Sequence, residues 1–240
     1  MSGALRVEVL DALNAIERAP SILKVGEQVR RFGETYGISH YLCSAPARPD
    51  EEPDEHLLFH NWPPDWFDRY VSRNYVERDP MVRTLLSSLH PFTWGEALEG
   101  GRFATKDLEI VHEARAWGMC KGFVVPIYGL GGQAHAVTFA GRDLRLDPQA
   151  RAELHLIAMY AYGRAKQIKR RRDPPVPLTR RQAEVLQWAA LGKSDWEVGK
   201  VLGLSSSTVH KHVEAAKRRF GVATRVQAIL SALKHGHIKA

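Results

Sequence analysis

Three prolines within four positions constrain the fold of this chain more than any other feature. Pro174, Pro175 and Pro177 follow directly on the run 170–173, which reads Arg-Arg-Arg-Asp. Proline lacks a backbone N–H and disfavours helix in the residue before it, so neither a helix nor a central strand continues here. We therefore predict a first domain over residues 1–168, a stiff basic and proline-rich linker over 169–177, and a second domain over 178–240.

The two predicted domains differ in charge. From Arg164 to Ala240 there are 17 Lys and Arg residues against 5 Asp and Glu residues, a net of +12, whereas residues 1–163 carry a net of −5. A basic second domain favours contact with a polyanion, although a solvated basic surface with no partner explains the charge alone equally well. Two isolated cysteines, a charged N-terminal segment and the lack of a long apolar run predict a cytoplasmic protein with no membrane partner.

The second domain carries a regular series of helix boundaries. Two Ser/Thr-x-x-Glu/Gln capping boxes and a third capping serine mark helix starts, and glycines follow where the helices should end. The boundary residues are Thr179, Gln182, Ser194, Glu197 and Ser205 at the starts and Gly192, Gly203 and Gly221 at the ends. A last helix is predicted from Arg225 to Lys234. Four helices with a tight turn between the middle two indicate an all-α helix-turn-helix domain.

The third of these helices has the pattern of a DNA-reading helix. Val209, Val213 and Ala216 recur at helical spacing and should be buried, which leaves small polar and basic groups on the opposite face. Such a face can contact base edges and phosphates in a major groove, although a plain helical bundle with a charged surface remains an alternative. The candidate DNA-binding residues are Thr179, Lys193, Ser206, Ser207, His210, Lys211, Glu214 and Arg218.

Family motifs run through the whole of residues 178–235. Leu178-Thr179-x-Arg181-Gln182-x-Glu184-Val185-Leu186, Ala189-x-Leu191-Gly192-Lys193-Ser194 and Arg219-Phe220-Gly221-Val222 resemble the LuxR-type helix-turn-helix. The resemblance implies a homodimer bound to a two-fold symmetric operator in double-stranded DNA, with RNA polymerase as a candidate further partner. Gln182 departs from the usual Glu, which keeps the capping geometry and loses a charge that complements the helix dipole.

The first domain mixes helical and strand periods. Amphipathic helices are predicted over 20–36, 106–117 and 148–172, strands over 122–128 and 134–139, and weaker strands over 40–43, 56–60 and 91–94. The glycine-rich stretch 129–132 is interpreted as a hairpin turn, because a strand follows it where a dinucleotide loop would need a helix. The fold class is therefore α+β, an α/β/α sandwich with a central antiparallel sheet, joined to the all-α second domain.

Aromatic side chains and one carboxylate are concentrated between residues 62 and 94. Trp66 and Tyr70 are four residues apart and should share a helix face, and Asp79-Pro80 and Trp94 follow. Apolar walls with a few polar groups are typical of a ligand pocket. The same pattern also suits an ordinary core, in which Asp79 does no more than cap a helix.

The motifs Trp66-x-x-x-Tyr70, Asp79-Pro80, Trp94 and Gly122-x-x-x-Pro126 are similar to the autoinducer-binding domain of LuxR-type quorum-sensing receptors, over about residues 20–165. The resemblance implies an N-acyl-homoserine lactone as ligand, with no further cofactor. By position, the Trp66 indole would donate to the lactone carbonyl and the Asp79 carboxylate would accept the amide N–H. Tyr70 and Trp94 would form walls, and Thr138 would face the acyl carbonyl.

The acyl group of that ligand is a further expectation from the same resemblance. Ile110, Ala114, Met119 and Val124 stand at acyl-pocket positions, and Trp62 stands where the family commonly has Tyr. Because Trp is larger, we expect a pocket adjusted to a branched or aromatic acyl group instead of a long straight one.

An enzyme is not expected. The sequence has no GxSxG, HExxH or P-loop motif and no clustered Cys and His residues. The alternative to a lactone receptor is a regulator of the same architecture that senses another small molecule or acts without a ligand.

Overall fold

The computed structural model describes residues 6–46, 56–129, 134–172 and 177–239. They form two compact units, one mainly of residues up to Arg172 and the other mainly of residues from Pro177 on. The predicted linker begins within the last helix of the first unit, Pro148–Arg172, and its residues 173–176 lie outside the described ranges. Neither this helix nor any other in the described ranges is apolar over a sufficient length to cross a bilayer.

The first unit is a five-stranded sheet between two layers of helices. Its strands are β1 His40–Ser44, β2 Leu57–His60, β3 Phe92–Thr93, β4 Lys121–Tyr128 and β5 Ala134–Gly141, in the order β2-β1-β5-β4-β3. Its helices are α1 Val7–Arg18, α2 Ile22–Gly33, α3 Pro64–Ser72, α4 Pro80–Leu85, α5 Trp94–Gly100, α6 Thr105–Ala116 and α7 Pro148–Arg172. Every strand pair is antiparallel, which confirms the predicted sandwich. Of the predicted hairpin turn, residues 130–132 lie outside the described ranges.

The central strand β5 is buried on both faces, and its two faces differ in side-chain size. Val137 and Phe139 point into the core formed with α1, α2 and α7, in which they are fully buried. Ala136 and Ala140 belong to the other face, with the aromatic residues of the helices on that side. Successive side chains of a strand alternate between faces, so one sequence fills one core with large groups and leaves space in the other.

The second unit consists of α8 Arg180–Ala190, α9 Asp195–Leu202, α10 Ser206–Phe220 and α11 Arg225–Lys234. Both predicted capping boxes are present: the Gln182 N–H donates to Thr179 Oγ1 at 3.3 Å, and the Glu197 N–H donates to Ser194 Oγ at 3.3 Å. Gly203 ends α9 with φ of 67°, the left-handed conformation that a side chain disfavours. These boundaries confirm the helix-turn-helix prediction.

The small core of this unit confirms the predicted stripe of α10. Val209, Val213 and Ala216 are buried against α8 and α9 or α11. Apolar residues at helical spacing in Asp195–Leu202 predict a buried face of Val198, Val201 and Leu202, and this prediction is wrong for Val201, because half of its surface is exposed. The helix has only eight residues, so a narrow contact with α10 buries Val198 and leaves its neighbour at i+3 outside.

Two glycines give a paired test of this packing. A Cβ atom on Gly122 would lie 2.2 Å from Cε2 and Nε1 of Trp94, whereas a Cβ atom on Gly163, exposed in the middle of α7, meets nothing within 4 Å. We expect Gly122→Ala to lower the free energy of unfolding by about 1–3 kcal/mol through overpacking. Gly163→Ala should raise it by up to about 1 kcal/mol through helix propensity. Denaturant unfolding measures the free energy of unfolding of both variants. Equal effects of the two substitutions would contradict the close contact between Gly122 and Trp94.

Candidate ligand cavity and nucleic-acid interface

One cavity in the first unit, between the sheet and helices α3 to α6, brings the predicted ligand-site residues together. All ten contribute to its lining: Trp62, Trp66, Tyr70, Asp79, Trp94, Ile110, Ala114, Met119, Val124 and Thr138. They come from α3, α5, α6, two strands and the segments next to these elements, and they are 76 positions apart at the extremes. The fold therefore brings residues that are distant in the sequence together in one cavity.

Helix α3 supplies the aromatic wall of the cavity. It begins at Pro64, which suits a first helical position because the missing N–H has no partner there. Trp66 and Tyr70, one turn apart, have ring centroids 6.1 Å apart, and Trp62 packs edge-on against Tyr70 at 5.3 Å. Trp66 is 1% exposed, so its indole ring is held in one place by its neighbours.

Asp79 combines the two roles that the sequence left open. Its Oδ1 accepts the Met81 N–H at 2.8 Å and so caps α4, while its Oδ2 accepts the Tyr70 hydroxyl at 2.7 Å on the cavity wall. Burial raises the pKa of the Asp79 carboxyl, and the hydrogen bonds from Tyr70 and the α4 backbone oppose that shift. Burial also raises the pKa of Tyr70, so its hydroxyl keeps the proton it donates. Each carboxylate oxygen retains a lone pair that a ligand N–H can use.

Two indole N–H groups on the cavity wall find no acceptor among the described residues. They are the Nε1 atoms of Trp66 and Trp94, and both are buried. A buried donor without a partner costs about 1–3 kcal/mol, and such groups are uncommon in folded proteins. A ligand carbonyl inside the cavity would satisfy a donor of this kind.

The strands add hydroxyl groups to the same wall. Thr138 on β5 lies opposite Leu42 on β1, and Ala136 lies opposite Ser44, so all four side chains face the cavity. Neither the Thr138 nor the Ser44 hydroxyl makes a hydrogen bond within the described ranges. An apolar cavity with one carboxylate, indole donors and two hydroxyls suits a small neutral ligand that carries an amide and carbonyl groups.

Sequence reasoning missed half of the lining. The additional residues are Leu42, Ser44, Ala45, Pro46, Val76, Met81, Val82, Leu85, Val111 and Ala136. Ala136 could have been found, because it is two positions from Thr138 on the same strand and therefore shares its face. Leu42 and Ser44 depend on the β1–β5 register, for which the sequence contains no local signal.

The second unit exposes most of the predicted DNA-binding residues. Ser206 and Ser207 lie in the first turn of α10, and His210, Lys211 and Arg218 follow along its exposed side. Thr179 is exposed at the start of α8 and Lys193 lies just before α9. This arrangement presents one helix with small groups at its N-terminal end and cations toward its C-terminal end.

Several of these groups are already engaged within the unit. Lys193 Nζ pairs with Glu197 at 3.1 Å, Glu214 pairs with Lys217 at 2.7 Å, and His210 Nδ1 lies 3.5 Å from an Asp195 carboxylate oxygen. Lys211 and Arg218, in contrast, form no ion pair within the described ranges. The latter two are therefore the cations of α10 that are best placed for phosphate contacts.

Comparison with known families covers both units. Residues 22–165 match the family described as Autoinducer binding domain, and residues 176–232 match the family described as Bacterial regulatory proteins, luxR family. The chain is 35% identical over 232 residues to the transcriptional activator protein BjaR1 of Bradyrhizobium diazoefficiens, covering 95% of this chain and 89% of that protein.

A second relative is the quorum sensing-dependent transcriptional regulator RpaR of Rhodopseudomonas palustris, 32% identical with 99% of this chain and 96% of that protein covered. Both relatives are transcription regulators, which confirms that the chain is not an enzyme.

Solved structures share the fold. A structure of SdiA in complex with octanoyl-rac-glycerol has a TM-score of 0.78 at 18% identity, with 97% of this chain and 96% of that chain covered. The N-acylhomoserine lactone dependent LuxR family factor CepR2 from Burkholderia cenocepacia has a TM-score of 0.51 at 21% identity, with coverage of 66% and 91%. These likenesses confirm the fold class predicted for the chain.

The raised pKa of Asp79 gives a pH-dependent test without ligand. Because the folded-state pKa exceeds the ordinary value of about 3.9, ionisation of Asp79 costs the folded state free energy as the pH rises through that window. Asn caps helices as well as Asp does, so Asp79→Asn should gain stability relative to the parent chain as the pH rises above about 4. Asp79→Ala should lose about 1 kcal/mol by comparison with Asn. Thermal unfolding across pH measures the stability difference between the two proteins. If the parent chain became more stable relative to Asp79→Asn as the pH rises, the prediction would be wrong.

Proposed function

The chain belongs to the LuxR family of autoinducer-binding transcription regulators, and we propose that its ligand is an N-acyl-homoserine lactone held in the cavity of the first domain. We also propose domain boundaries at residues 1–168 and 178–240 with the linker between them, and action in the cytoplasm. A homodimer binds a two-fold symmetric operator through the second domain, where RNA polymerase is a candidate further partner.

One observation carries the ligand proposal: an unpaired buried donor and a carboxylate acceptor share an apolar cavity. The Trp66 indole donates to the lactone carbonyl, and Asp79 accepts the ligand's amide N–H while the Tyr70 hydroxyl donates to its Oδ2 and the Met81 N–H to its Oδ1. Thr138 faces the acyl carbonyl, and Trp94 packs beside the lactone ring. A ligand without these groups would leave the donor unpaired, at about 1–3 kcal/mol.

The acyl group occupies the apolar part of the cavity. Ile110, Ala114, Met119 and Val124 line it, and the Trp62 ring lines the same cavity beside Tyr70. A bulky indole at this place favours a branched or aromatic acyl group over a long straight one. The small Ala136 side chain on the sheet leaves width for such a group.

Ligand binding is linked to DNA binding through stability. A ligand that binds only the folded first domain stabilises it by about 2.7 kcal/mol at a concentration a hundredfold above Kd. The dimer then places two α10 helices about 34 Å apart, the separation of successive major grooves on one side of the duplex. The solved factor CepR2 is described as N-acylhomoserine lactone dependent, which supports the same ligand class here.

Thermal unfolding of the full chain against a panel of lactones tests the ligand class. We expect an upward shift of several degrees with a branched or aryl N-acyl-homoserine lactone and a smaller one with a long straight chain. A larger shift with the straight-chain compound would overturn the acyl assignment. No shift with any lactone, from folded protein that binds DNA, would overturn the lactone proposal.

Asp79→Asn with two kinds of ligand isolates the amide contact. The analogue of the same lactone in which an ester oxygen replaces the amide N–H is the matched control ligand, because it lacks only the donor. The variant should lose roughly tenfold or more in lactone affinity, as expected for a charge-assisted hydrogen bond, and change little toward the ester analogue. Equal losses toward both ligands would show that Asp79 acts only on the fold.

DNA binding should depend steeply on salt, through the free cations of α10. Each phosphate contact contributes a slope of about −0.9 in log K against log salt. We expect Lys211→Ala combined with Arg218→Ala to reduce the slope by about two, while Lys24→Ala in the first domain, a surface ion-pair residue, leaves it unchanged. Titration of a symmetric operator duplex between 50 and 200 mM salt measures the slope; identical slopes for all three proteins would contradict the assignment of α10.

A further inference from the structure

Helix α3 contacts the cavity and helix α6 through different residues. Trp66 and Tyr70 line the cavity, whereas Arg69 lies beside Trp66 on the flank of the helix, does not line the cavity and pairs with Glu113 of α6. The helix has nine residues, follows Pro63 and ends shortly before Asn74, whose φ is 48°. A helix of this length is not stable alone, so its position depends on its tertiary contacts, which are the aromatic packing around Trp66 and the contact of its flank with α6.

One carboxylate supplies the contacts of the flank. Glu113 on α6 accepts two hydrogen bonds from one edge of the Arg69 guanidinium group, Nε to Oε2 at 2.7 Å and Nη2 to Oε1 at 2.8 Å. It also accepts the Tyr75 hydroxyl at 2.9 Å, and Arg73 Nη1 lies 3.8 Å from it. A two-point Arg–carboxylate pair fixes orientation as well as distance. We call Glu113, Arg69, Arg73 and Tyr75 the Glu113 network.

The network reaches the cavity wall through Tyr75. This ring is 1% exposed and lies 6.2 Å from the Trp66 ring and 5.8 Å from the Tyr70 ring. Its hydroxyl is fixed from outside by Glu113, while its ring supports both cavity aromatics from behind. Glu113 itself does not line the cavity.

We propose that Glu113 is a positioning residue for the ligand site, which holds α3 closed over the cavity and thereby slows ligand release. The inference rests on the proposed function of the cavity, and it assigns Glu113 no contact with the ligand. Breaking the network frees α3 between Pro63 and Asn74, so that Trp66 and Tyr70 leave the ligand together. Hydrogen bonding from Arg69 lowers the pKa of Glu113 to about 2, so the network keeps its charge throughout the neutral range.

Hydrogen exchange of the ligand-free full chain tests the closure of α3. Glu113→Ala keeps good helix propensity in α6, and we expect it to speed exchange of the α3 amides about fivefold while the central strands keep their protection. Glu34→Ala, which removes a comparable exposed pair with Arg30, is the control and should leave α3 unchanged. Unchanged α3 exchange in Glu113→Ala would overturn the proposal.

Two further variants separate positioning from general stability. Arg69→Lys keeps the charge and loses the forked pair, so its effect should be smaller and confined to α3. The exchanged pair Arg69→Glu with Glu113→Arg should restore protection toward that of the parent chain. Exchange that rises in the central strands as much as in α3, with no rescue by the exchanged pair, would show a structural role only and overturn the proposal.

A second experiment measures ligand dissociation, with the lactone that gives the largest thermal shift as the probe. Dissociation measured by displacement should be about fivefold faster in Glu113→Ala, with little change in the association rate, and the exchanged pair should restore it. Equal dissociation rates in parent and variant would overturn the proposal. If no lactone binds the parent chain, the proposed function fails, and the exchange experiment still decides whether Glu113 holds α3.

Discussion

The cavity depends on the contrast between the two faces of the central strands. Phe123 and Phe139 fill one face completely, and this rigid core with α1, α2 and α7 supports the sheet. On the other face the small Ala136 side chain lines the cavity, so the space between the sheet and the helices that cover it remains open there. Close packing on one side therefore makes it possible to leave a cavity on the other without loss of the fold.

The polar groups of the cavity depend in turn on how its helical wall is held. Asp79 is fixed by the start of α4 and by Tyr70, and the Trp66 donor is fixed by the aromatic rings around it. These groups are oriented before a ligand arrives, so less side-chain entropy is lost on binding.

Local signals were sufficient for much of the fold and for half of the site. Thr179 and Ser194 set helix starts through contacts three residues away, and Trp66 and Tyr70 share a face at a spacing of four. Contacts between distant elements had no such signal. Ser44 lines the cavity because of the strand register, and Glu113 meets Arg69 across 44 positions of sequence. Val201 shows that a local signal can also fail, because an apolar residue at helical spacing is buried only where another element packs against it.

The most direct test of this account is the indole resonance of Trp66 in the full chain. Nitrogen-15 labelling of tryptophan gives one indole N–H signal for each of the six tryptophans. The signal that is missing in Trp66→Phe is that of Trp66. The account predicts that a homoserine lactone that binds moves the Trp66 N–H signal strongly downfield and slows its exchange with water, because the donor gains an acceptor. A lactone that binds and leaves the Trp66 signal unchanged would contradict the central claim that this buried donor recognises the ligand.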